Sequence, residues 1–356
     1  MIHVFLGTKA QYIKTAPLLR LLEASGIEHR LIDSGQHAAL SVGLREELGI
    51  RAPDHVLAEG RDITRIPQAL VWALKLAAKL LGGRRLRREV FAGRGGVCVV
   101  HGDTPSTLLS TLMAKRAGLR VAHLEAGLRS RRLLHPFPEE LIRVVVMRLA
   151  DVLFAPDEEA LANLRRMRVR GEVVALPGNT VVEALHHELE HVGDRADGPV
   201  IVTMHRVENL NRRERVEQLV ALVERIARDH EVLFVQHGPT IDTLRRRGLG
   251  ARLDAAGVEM QPLRPHGEFV AMLRNAPFVI TDGGSIQEEC ALLGTPTLLW
   301  RAATERPDGV GANVVVGGYD PATIDAFLAD PQAHRRDPGA TGAVPSQLVL
   351  EHLAGG

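Results

Sequence analysis

Cysteine is scarce in this sequence. The 356 residues include two cysteines, Cys98 in the apolar run "VCVV" and Cys290 in a predicted helix. Their wide separation does not have the short spacing that is typical of metal ligands. We therefore predict that both are buried, unpaired thiols of the core.

A basic leader and a long apolar run are also lacking. "MIHVFLGTK" has no basic segment before its apolar residues, and "LVWALKLAAKLL" is short and interrupted by lysines. These features predict a soluble cytoplasmic protein.

Neither sign of charge is in excess. The sequence has 44 Lys+Arg and 43 Asp+Glu, which give a formal net charge of +1 with neutral histidines. This balance offers no electrostatic reason to expect nucleic acid or an anionic membrane as a partner. A small anionic ligand is still compatible with it, because such a ligand needs only a local cluster of positive charge.

Several catalytic motifs are missing. No G-x-G-x-x-G follows a predicted strand, no P-loop lysine follows a glycine-rich loop, and no G-x-S-x-G turn is present. No His/Cys cluster has metal-ligand spacing. These absences argue against a nicotinamide enzyme, a P-loop enzyme, a serine hydrolase and a metal centre, so the chemistry we expect is acid-base.

The sequence does contain short apolar runs bounded by Gly, Asp or Pro, which are typical of buried parallel strands. In the first half they predict five strands, which alternate with helical patterns: "IHVFLG", "HRLIDSG", "GVCVVHGD", "LRVAHLEAG" and "DVLFAPD". "GRRLRREV" breaks the pattern, and we interpret it as the exposed end of a helix, with a phosphate site as the weaker reading.

The alternation of strands and helices starts again in the second half. After a polar linker near 186–198 we predict a helix at about 212–228 and five strands, "PVIVTMH", "EVLFVQHG", "VEMQPL", "FVITDGG" and "TPTLLWR". This restart favours two Rossmann-like α/β domains, 1–180 (joined by a C-terminal helix, 343–356) and 181–342. A single eight-stranded barrel is the weaker alternative.

The polar loops follow the predicted strands. In open parallel sheets ligands bind at the carboxyl ends of the strands, so two such domains facing each other would enclose a cleft. Some of these residues could have a structural role instead of a functional one: Asp103 could cap a helix, and a lone His205 could be a core residue. Glu125 and Glu139 are harder to explain by capping or helix pairing.

Seven motifs occur in order over almost the whole chain: "HGDT", "HLEAGLRS", "PFPEE", "GNTV", "HRVEN", "TDGGSIQEE" and "TERPDGV". Together they resemble the UDP-N-acetylglucosamine 2-epimerases of the non-hydrolysing bacterial type. The resemblance implies a glycosyltransferase-B-like fold with the nucleotide sugar in the interdomain cleft. It also implies interconversion of UDP-N-acetylglucosamine (UDP-GlcNAc) and UDP-N-acetylmannosamine (UDP-ManNAc) through a 2-acetamidoglucal, for polysaccharide biosynthesis. Members need no metal or tightly bound nicotinamide, and they commonly form homodimers.

The resemblance also assigns residues. Four match the catalytic set of the family: Asp103, Glu125, Glu139 and His205. Nine match residues that contact the substrate: Lys9, Lys14, Arg143, Arg206, Gly284, Ser285, Glu289, Arg301 and Arg306. Which carboxylate serves which face of the sugar stays open.

The sequence departs from the family pattern in the ligand shell. Lys9 stands where an arginine is usual and Gln11 where a glutamate is usual, and lysine lacks the bidentate geometry of arginine. Many bacterial members bind a second substrate molecule as activator. Gln36 and Arg61 match that activator site, but Val207 lacks an expected polar group, so we predict weak or absent activation.

Four alternatives remain. A hydrolysing 2-epimerase would release UDP and N-acetylmannosamine, but that type usually lacks a glutamate at the position of Glu125. An epimerase for a related nucleotide sugar, a glycosyltransferase on the same fold, and an inactive nucleotide-sugar sensor are the others.

Overall fold

The structure is a computed structural model, and it describes residues 1–35, 38–57, 82–131, 138–189, 197–338 and 344–355, with the backbone alone for 38–42. The chain divides into two compact units, Met1–Ala184 with Gly342–Gly356, and Leu185–Thr341. The boundaries expected from the sequence, at 180/181 and 342/343, differ from these by a few residues.

The first unit contains a parallel sheet with the strand order β3-β2-β1-β4-β5-β6-β7. Its central strands are buried along nearly their whole length, which explains their continuous apolar runs. The seven strands are β1 Ile2–Leu6, β2 His29–Asp33, β3 His55–Val56, β4 Val97–His101, β5 Arg120–Leu124, β6 Val152–Ala155 and β7 Glu172–Ala175.

Helices cover both faces of this sheet. Alternate side chains of β1 lie in different apolar clusters, Phe5 in one and Val4 and Leu6 in the other. The helices described for the unit are α1 Lys9–Ala24, α2 Ala38–Glu47, α3 Gly83–Glu89, α4 Pro105–Arg116, α5 Glu139–Leu149, α6 Glu158–Met167, the first four residues of α7 Val181–Leu189 and, at the C-terminal end, α15 Pro345–Gly355.

The C-terminal helix completes the first unit. Helix α15 packs against α1. Both the amide and the hydroxyl of Ser346 donate to Glu183 Oε2, at 2.9 and 2.5 Å. A segment that is distant in sequence therefore becomes part of the first core.

The second unit repeats the same strand order. Its parallel sheet runs β10-β9-β8-β11-β12-β13, so the first strand of the unit again lies beside the fourth. The strands are β8 Val200–Thr203, β9 Val232–Gln236, β10 Glu259–Pro262, β11 Val279–Thr281, β12 Thr297–Leu299 and β13 Val314–Val316. The helices are α8 Val207–Leu210, α9 Arg213–Ile226, α10 Gly238–Arg247, α11 Gly250–Ala255, α12 His266–Asn275, α13 Gly284–Leu293 and α14 Pro321–Ala329, followed by a 3-10 turn at Pro331–His334.

The predicted α/β class with two parallel sheets is confirmed, and the barrel alternative is wrong because the strands form two open sheets. Three strands were missed: β3, β7 and β13. All three lie at sheet edges, and β7 is mostly exposed, so it has no buried apolar run to reveal it. The predicted polar linker was also wrong in part, because residues 186–189 continue helix α7.

Within the described part of the chain, no helix has both the length and the apolar character needed to cross a membrane.

The burial of the two cysteines gives a first prediction. Both are fully buried and unpaired, as expected from the sequence. Burial raises the pKa of the Cys98 thiol well above its usual range and that of Cys290 to about 12. We expect neither thiol to react with Ellman's reagent in the native protein at about pH 8, and both to react after denaturation. Reaction of one equivalent of protein thiol with the reagent in the native state would contradict this burial.

Candidate active site

Glu125 lies at the carboxyl edge of the first sheet, directly after β5. Its backbone has φ 61, a left-handed conformation that costs a non-glycine residue about 1 kcal/mol or more. Its carboxylate is fixed by two donors: Lys14 Nζ lies 2.5 Å and Asn179 Nδ2 2.8 Å from Oε1. The structure therefore brings the predicted residues Glu125 and Lys14 together. Asn179, in the motif "GNTV", had not been singled out.

Asp103 does not cap the following helix. Thr104 caps α4 instead, because its side chain accepts from the amide of Thr107 while the Thr107 hydroxyl accepts from the amide of Thr104. Asp103 pairs with Arg143, whose Nη2 lies 2.5 Å from its Oδ2. The capping interpretation of Asp103 is therefore wrong, and the carboxylate lies beside another predicted site residue.

Glu139 and Glu140 begin helix α5 and have different environments. Glu140 is fully buried and accepts from Arg129 Nε at 2.6 Å, the Ser130 amide at 3.0 Å and Arg143 Nη1 at 3.4 Å. Burial acts to raise the pKa of Glu140, but the hydrogen bonds from Ser130 and Arg129 outweigh it and lower that pKa. Glu139 is only half-buried, and its Oε2 has no hydrogen-bond partner among the described residues. Glu140 is therefore held by three donors, whereas the buried Oε2 atom of Glu139 has no described donor.

The structure explains why a glutamine occupies position 11. Its side-chain oxygen accepts from the amides of Gly7 and Thr8 at 2.8 and 3.1 Å, and its nitrogen donates to the His101 carbonyl at 2.7 Å. An ionised glutamate has no donor for that carbonyl. Gln11 therefore ties the loop after β1 to the end of β4. Lys9 is half-buried at the first position of α1.

The two residues predicted for an activator site, Gln36 and Arg61, lie outside the described residues. Val207, whose apolar side chain was the basis for predicting weak activation, is 66% exposed.

In the second unit, Asp282 organises the carboxyl edge of the sheet. It follows β11, is fully buried, and accepts from the amides of His205 and Arg206 at 2.9 and 3.0 Å. Asn209 Nδ2 also donates to it, at 2.9 Å. One carboxylate therefore fixes the loop after β8, which carries two predicted site residues. Asp282 had not been singled out from the sequence, because its role depends on contacts with a distant segment.

The surroundings of His205 favour the neutral form of its imidazole. Burial lowers its pKa below the ordinary value of 6.5; Asp282, with an oxygen 3.3 Å from Nδ1, acts to raise it, and Arg206 and Arg301 lower it further. The neutral ring still carries one N–H donor.

The space around the His205 ring is narrow. The ring of His237 lies 4.5 Å away between centroids at an angle of 30°. At Gly283 an added Cβ would lie 2.8 Å from His205 Cε1. A side chain at position 283 would therefore displace the imidazole ring from its present place.

The glycine loop begins helix α13. Gly284 and Ser285 are the first two residues of this ten-residue helix, and no side chain caps its N-terminus. Such a terminus presents backbone amides and partial positive charge, which suit an anionic ligand. The loop therefore provides donors at the same sheet edge as His205.

The predicted arginines of the second unit are linked by carboxylates. Arg301 Nη2 lies 2.8 Å and Arg206 Nη2 3.6 Å from oxygens of Glu305, and Arg306 Nη1 lies 2.7 Å from Glu288. Arg301 is 2% exposed, and its Nη1 has no hydrogen-bond partner among the described residues. The loop after β12 therefore brings buried positive charge to the edge that also carries Arg206.

Glu289 has an internal partner. His266 Nε2 lies 3.1 Å from Glu289 Oε1, and His266 Nδ1 lies 3.6 Å from Glu188 Oε1, an ion-pair distance that is too long for a hydrogen bond. Burial acts to lower the pKa of His266, but the two carboxylates outweigh it and raise that pKa to about 9. A protonated histidine thus lies between two glutamates in the second unit. Sequence reasoning missed Glu188 and His266 because no motif connects them.

Among the described residues, no group of three or more His, Cys, Asp or Glu side chains is arranged to hold a metal ion.

Comparison with known proteins identifies the family. The family model described as UDP-N-acetylglucosamine 2-epimerase matches residues 20–339. The chain belongs to the UDP-N-acetylglucosamine 2-epimerase family. A relative named UDP-N-acetylglucosamine 2-epimerase from Methanocaldococcus jannaschii is 30% identical, with 98% of this chain and 97% of the relative covered. A relative of the same name from Bacillus subtilis is also 30% identical, with 98% and 93% covered.

The fold is that of the same epimerase family. A crystal structure of the Methanocaldococcus jannaschii UDP-GlcNAc 2-epimerase, in complex with UDP-GlcNAc and UDP, matches with a TM-score of 0.83 and 27% identity. The match covers 100% of this chain and 99% of that one. Both the family resemblance and the glycosyltransferase-B-like α/β class expected from the sequence are confirmed.

The raised pKa of His266 gives a prediction about stability. Because the folded-state pKa of about 9 exceeds the ordinary 6.5, the stabilisation is fully present below pH 6.5 and is lost as pH rises through 9. The shift corresponds to about 3 kcal/mol at most. We expect the advantage of the wild type over His266→Gln in free energy of unfolding to shrink from pH 6.5 to about pH 10, as measured by urea titration.

His3→Gln is the matched control for this experiment. His3 is fully buried, and its pKa is lowered to about 4, mainly by burial. The His3 side chain is therefore neutral over the whole tested range, and its replacement should add no pH dependence above 6.5. Equal pH profiles for the two variants would show that His266 is not protonated.

Proposed function

We propose that this protein is a non-hydrolysing UDP-GlcNAc 2-epimerase, which interconverts UDP-GlcNAc and UDP-ManNAc. The observation that carries the proposal is the set of carboxylates at the first sheet edge. Asp103 and Glu125 each have a cationic partner, whereas Glu139 has an oxygen with no described partner. Reversible proton transfer on two faces of a carbon needs more than one acid or base, and this edge carries three.

The proposed reaction has two balanced steps. A carboxylate takes the proton from C2 of the sugar, the C1–O bond to the diphosphate breaks, and its electron pair leaves with UDP. The 2-acetamidoglucal then accepts a proton at C2 on the opposite face while a phosphate oxygen of UDP forms the new bond to C1. No atom is gained or lost, so the reaction requires no co-reactant.

Glu139 is the proposed base for one of the two faces. Oε1 of Glu125 already accepts from Lys14 and Asn179, and Oδ2 of Asp103 is paired with Arg143. Glu139 Oε2 can accept a proton without first breaking a described hydrogen bond. This buried oxygen without a described donor is the reason for proposing Glu139 as a base.

The second unit is proposed to bind the UDP portion. His205 supplies a neutral N–H donor, Arg206 and Arg301 supply charge, and the start of α13 supplies backbone amides. These groups stabilise the negative charge that grows on the diphosphate as the C1–O bond breaks. The family resemblance supports a cytoplasmic homodimer whose product serves polysaccharide synthesis.

Incubation with UDP-GlcNAc in deuterated water tests the proposed reaction. We expect UDP-ManNAc to appear with deuterium at C2, followed by NMR, because the proton removed from C2 exchanges with solvent before the return step. Free N-acetylmannosamine together with UDP would establish the hydrolysing reaction instead. Absence of exchange would overturn the epimerase proposal. The remaining hypotheses would be an enzyme for a different nucleotide sugar, a transferase and a sensor, and binding measurements with a panel of UDP-sugars would distinguish them.

The adjacent glutamates Glu139 and Glu140 allow a matched mutational test. Glu139→Gln removes the proton acceptor and little volume, so we expect turnover to fall roughly a thousandfold with UDP affinity nearly unchanged. Glu140→Gln makes the same chemical change inside the buried network, so we expect a loss of about 3 kcal/mol in stability. Turnover, UDP calorimetry and thermal unfolding of both variants separate the two roles. Full activity in Glu139→Gln would remove it from the mechanism.

A further inference from the structure

Tyr319 adopts an unfavourable backbone conformation next to the second sheet. It follows β13 and has φ 60, although it is an aromatic residue and not a glycine. A left-handed conformation costs such a residue about 1 kcal/mol or more, and it is retained where the surroundings fix the side chain. The contacts of Tyr319 therefore indicate what the conformation achieves.

The ring of Tyr319 is held on two sides. Arg215 Cζ lies 3.4 Å from the ring centre, and the ring of Trp300 lies 5.3 Å away in an edge-to-face arrangement of 88°. Both geometries are attractive for an aromatic ring. The hydroxyl group is thereby fixed in position.

That hydroxyl determines the orientation of a buried amide. Tyr319 Oη donates to Asn209 Oδ1 at 2.7 Å, and Asn209 is fully buried. Asn209 Nδ2 donates at 2.9 Å to Asp282 Oδ2 and at 3.0 Å to the Trp300 carbonyl. An inverted amide would place its oxygen against two acceptors, so the amide has one favourable orientation.

Asp282 carries this orientation to His205. Its Oδ2 accepts from Asn209 and from the Arg206 amide, while its Oδ1 accepts from the His205 amide and lies 3.3 Å from His205 Nδ1. Each link is a hydrogen bond or close contact of a buried group within the second unit. A disturbance at Tyr319 therefore reaches the imidazole through only two intermediate side chains.

We propose that Tyr319 is a positioning residue, which sets the place of the His205 imidazole through Asn209 and Asp282. The catalytic importance of that place rests on the proposed function, but the positioning itself does not. Tyr319 does not act on the ligand in this proposal. Its role is to keep Asp282 aligned with the loop that carries His205 and Arg206.

Tyr319→Phe tests the proposal with a minimal change. The variant keeps the ring against Arg215 and Trp300 and leaves the buried Asn209 Oδ1 without its donor. The charged and titratable groups that face His205 are Asp282, Arg206, Arg301 and His237. Only Asp282 among them is linked to Tyr319 through Asn209 in this network.

The readout is the imidazole pKa of His205, from NMR titration of its ring Cε1–H signal in the ligand-free protein. Because Asp282 acts to raise this pKa, a less well held Asp282 should let it fall, and we expect a lower pKa in the variant than in the wild type. An unchanged or higher pKa in Tyr319→Phe would overturn the proposal. A His205→Gln variant assigns the signal.

Tyr12→Phe is the matched control, because the chain has two tyrosines and each hydroxyl is bonded inside a different unit. Tyr12 donates to Asp33 at 2.5 Å, so its variant also loses one buried hydroxyl but should leave the His205 signal unchanged. An equal shift in both variants would show a general loosening and overturn the proposal. If Tyr319→Phe fails to fold, Arg215→Gln leaves the hydroxyl in place, removes the contact above the ring, and should shift the pKa less but in the same direction.

Turnover separates the positioning from the reaction. We expect Tyr319→Phe to lower kcat about tenfold with KM little changed, since a displaced imidazole weakens contacts made mainly in the transition state. If the wild type shows no epimerase activity while the pKa of His205 still falls in the variant, the proposed function fails and the positioning stands. A normal pKa with reduced kcat would overturn the positioning alone.

Discussion

A carboxylate that has lost contact with water, Asp282, is the group on which the site of the second unit depends. Placing such a charge in a protein interior is costly unless several donors replace the lost hydration. Asp282 obtains them from two backbone amides and the Asn209 amide. Because the backbone amides belong to His205 and Arg206, the carboxylate is satisfied only when that loop is correctly folded. Its charge therefore links the stability of the unit to the geometry of its site.

The first unit solves the same problem with Glu140. This residue is also fully buried, and it takes its donors from a backbone amide and two guanidinium groups. One of those guanidinium groups, on Arg143, also holds Asp103. In both units an anchored acid without direct chemistry fixes the neighbours that are proposed to act. A buried anchor tolerates replacement poorly, since removal of one partner leaves the other uncompensated.

The sequence predicted the central strands because strands covered on both faces need continuous apolar runs. Of the missed edge strands, β7 is mostly exposed, and β3 and β13 are only two and three residues long. The sequence predicted the acidic residues of the first sheet edge because their motifs are local. It did not predict the partners, since those depend on contacts between distant segments: Tyr319 lies 110 residues from Asn209, and His266 pairs with Glu188 without any shared motif. The interpretation that Asp103 caps the helix was wrong because Thr104, one residue closer to the helix, occupies the N-cap position.

The discontinuity of the first unit has a consequence for the order in which the chain can fold during synthesis. Helix α15, which packs on α1 and binds Glu183 through Ser346, leaves the ribosome only after all of the second unit has been made. The second unit is one continuous stretch and can close its core at that time. The first unit, although its strands are made earlier, must wait with part of its apolar surface uncovered. In a growing chain the second unit can therefore complete its core before the first unit can, although the first unit is made earlier.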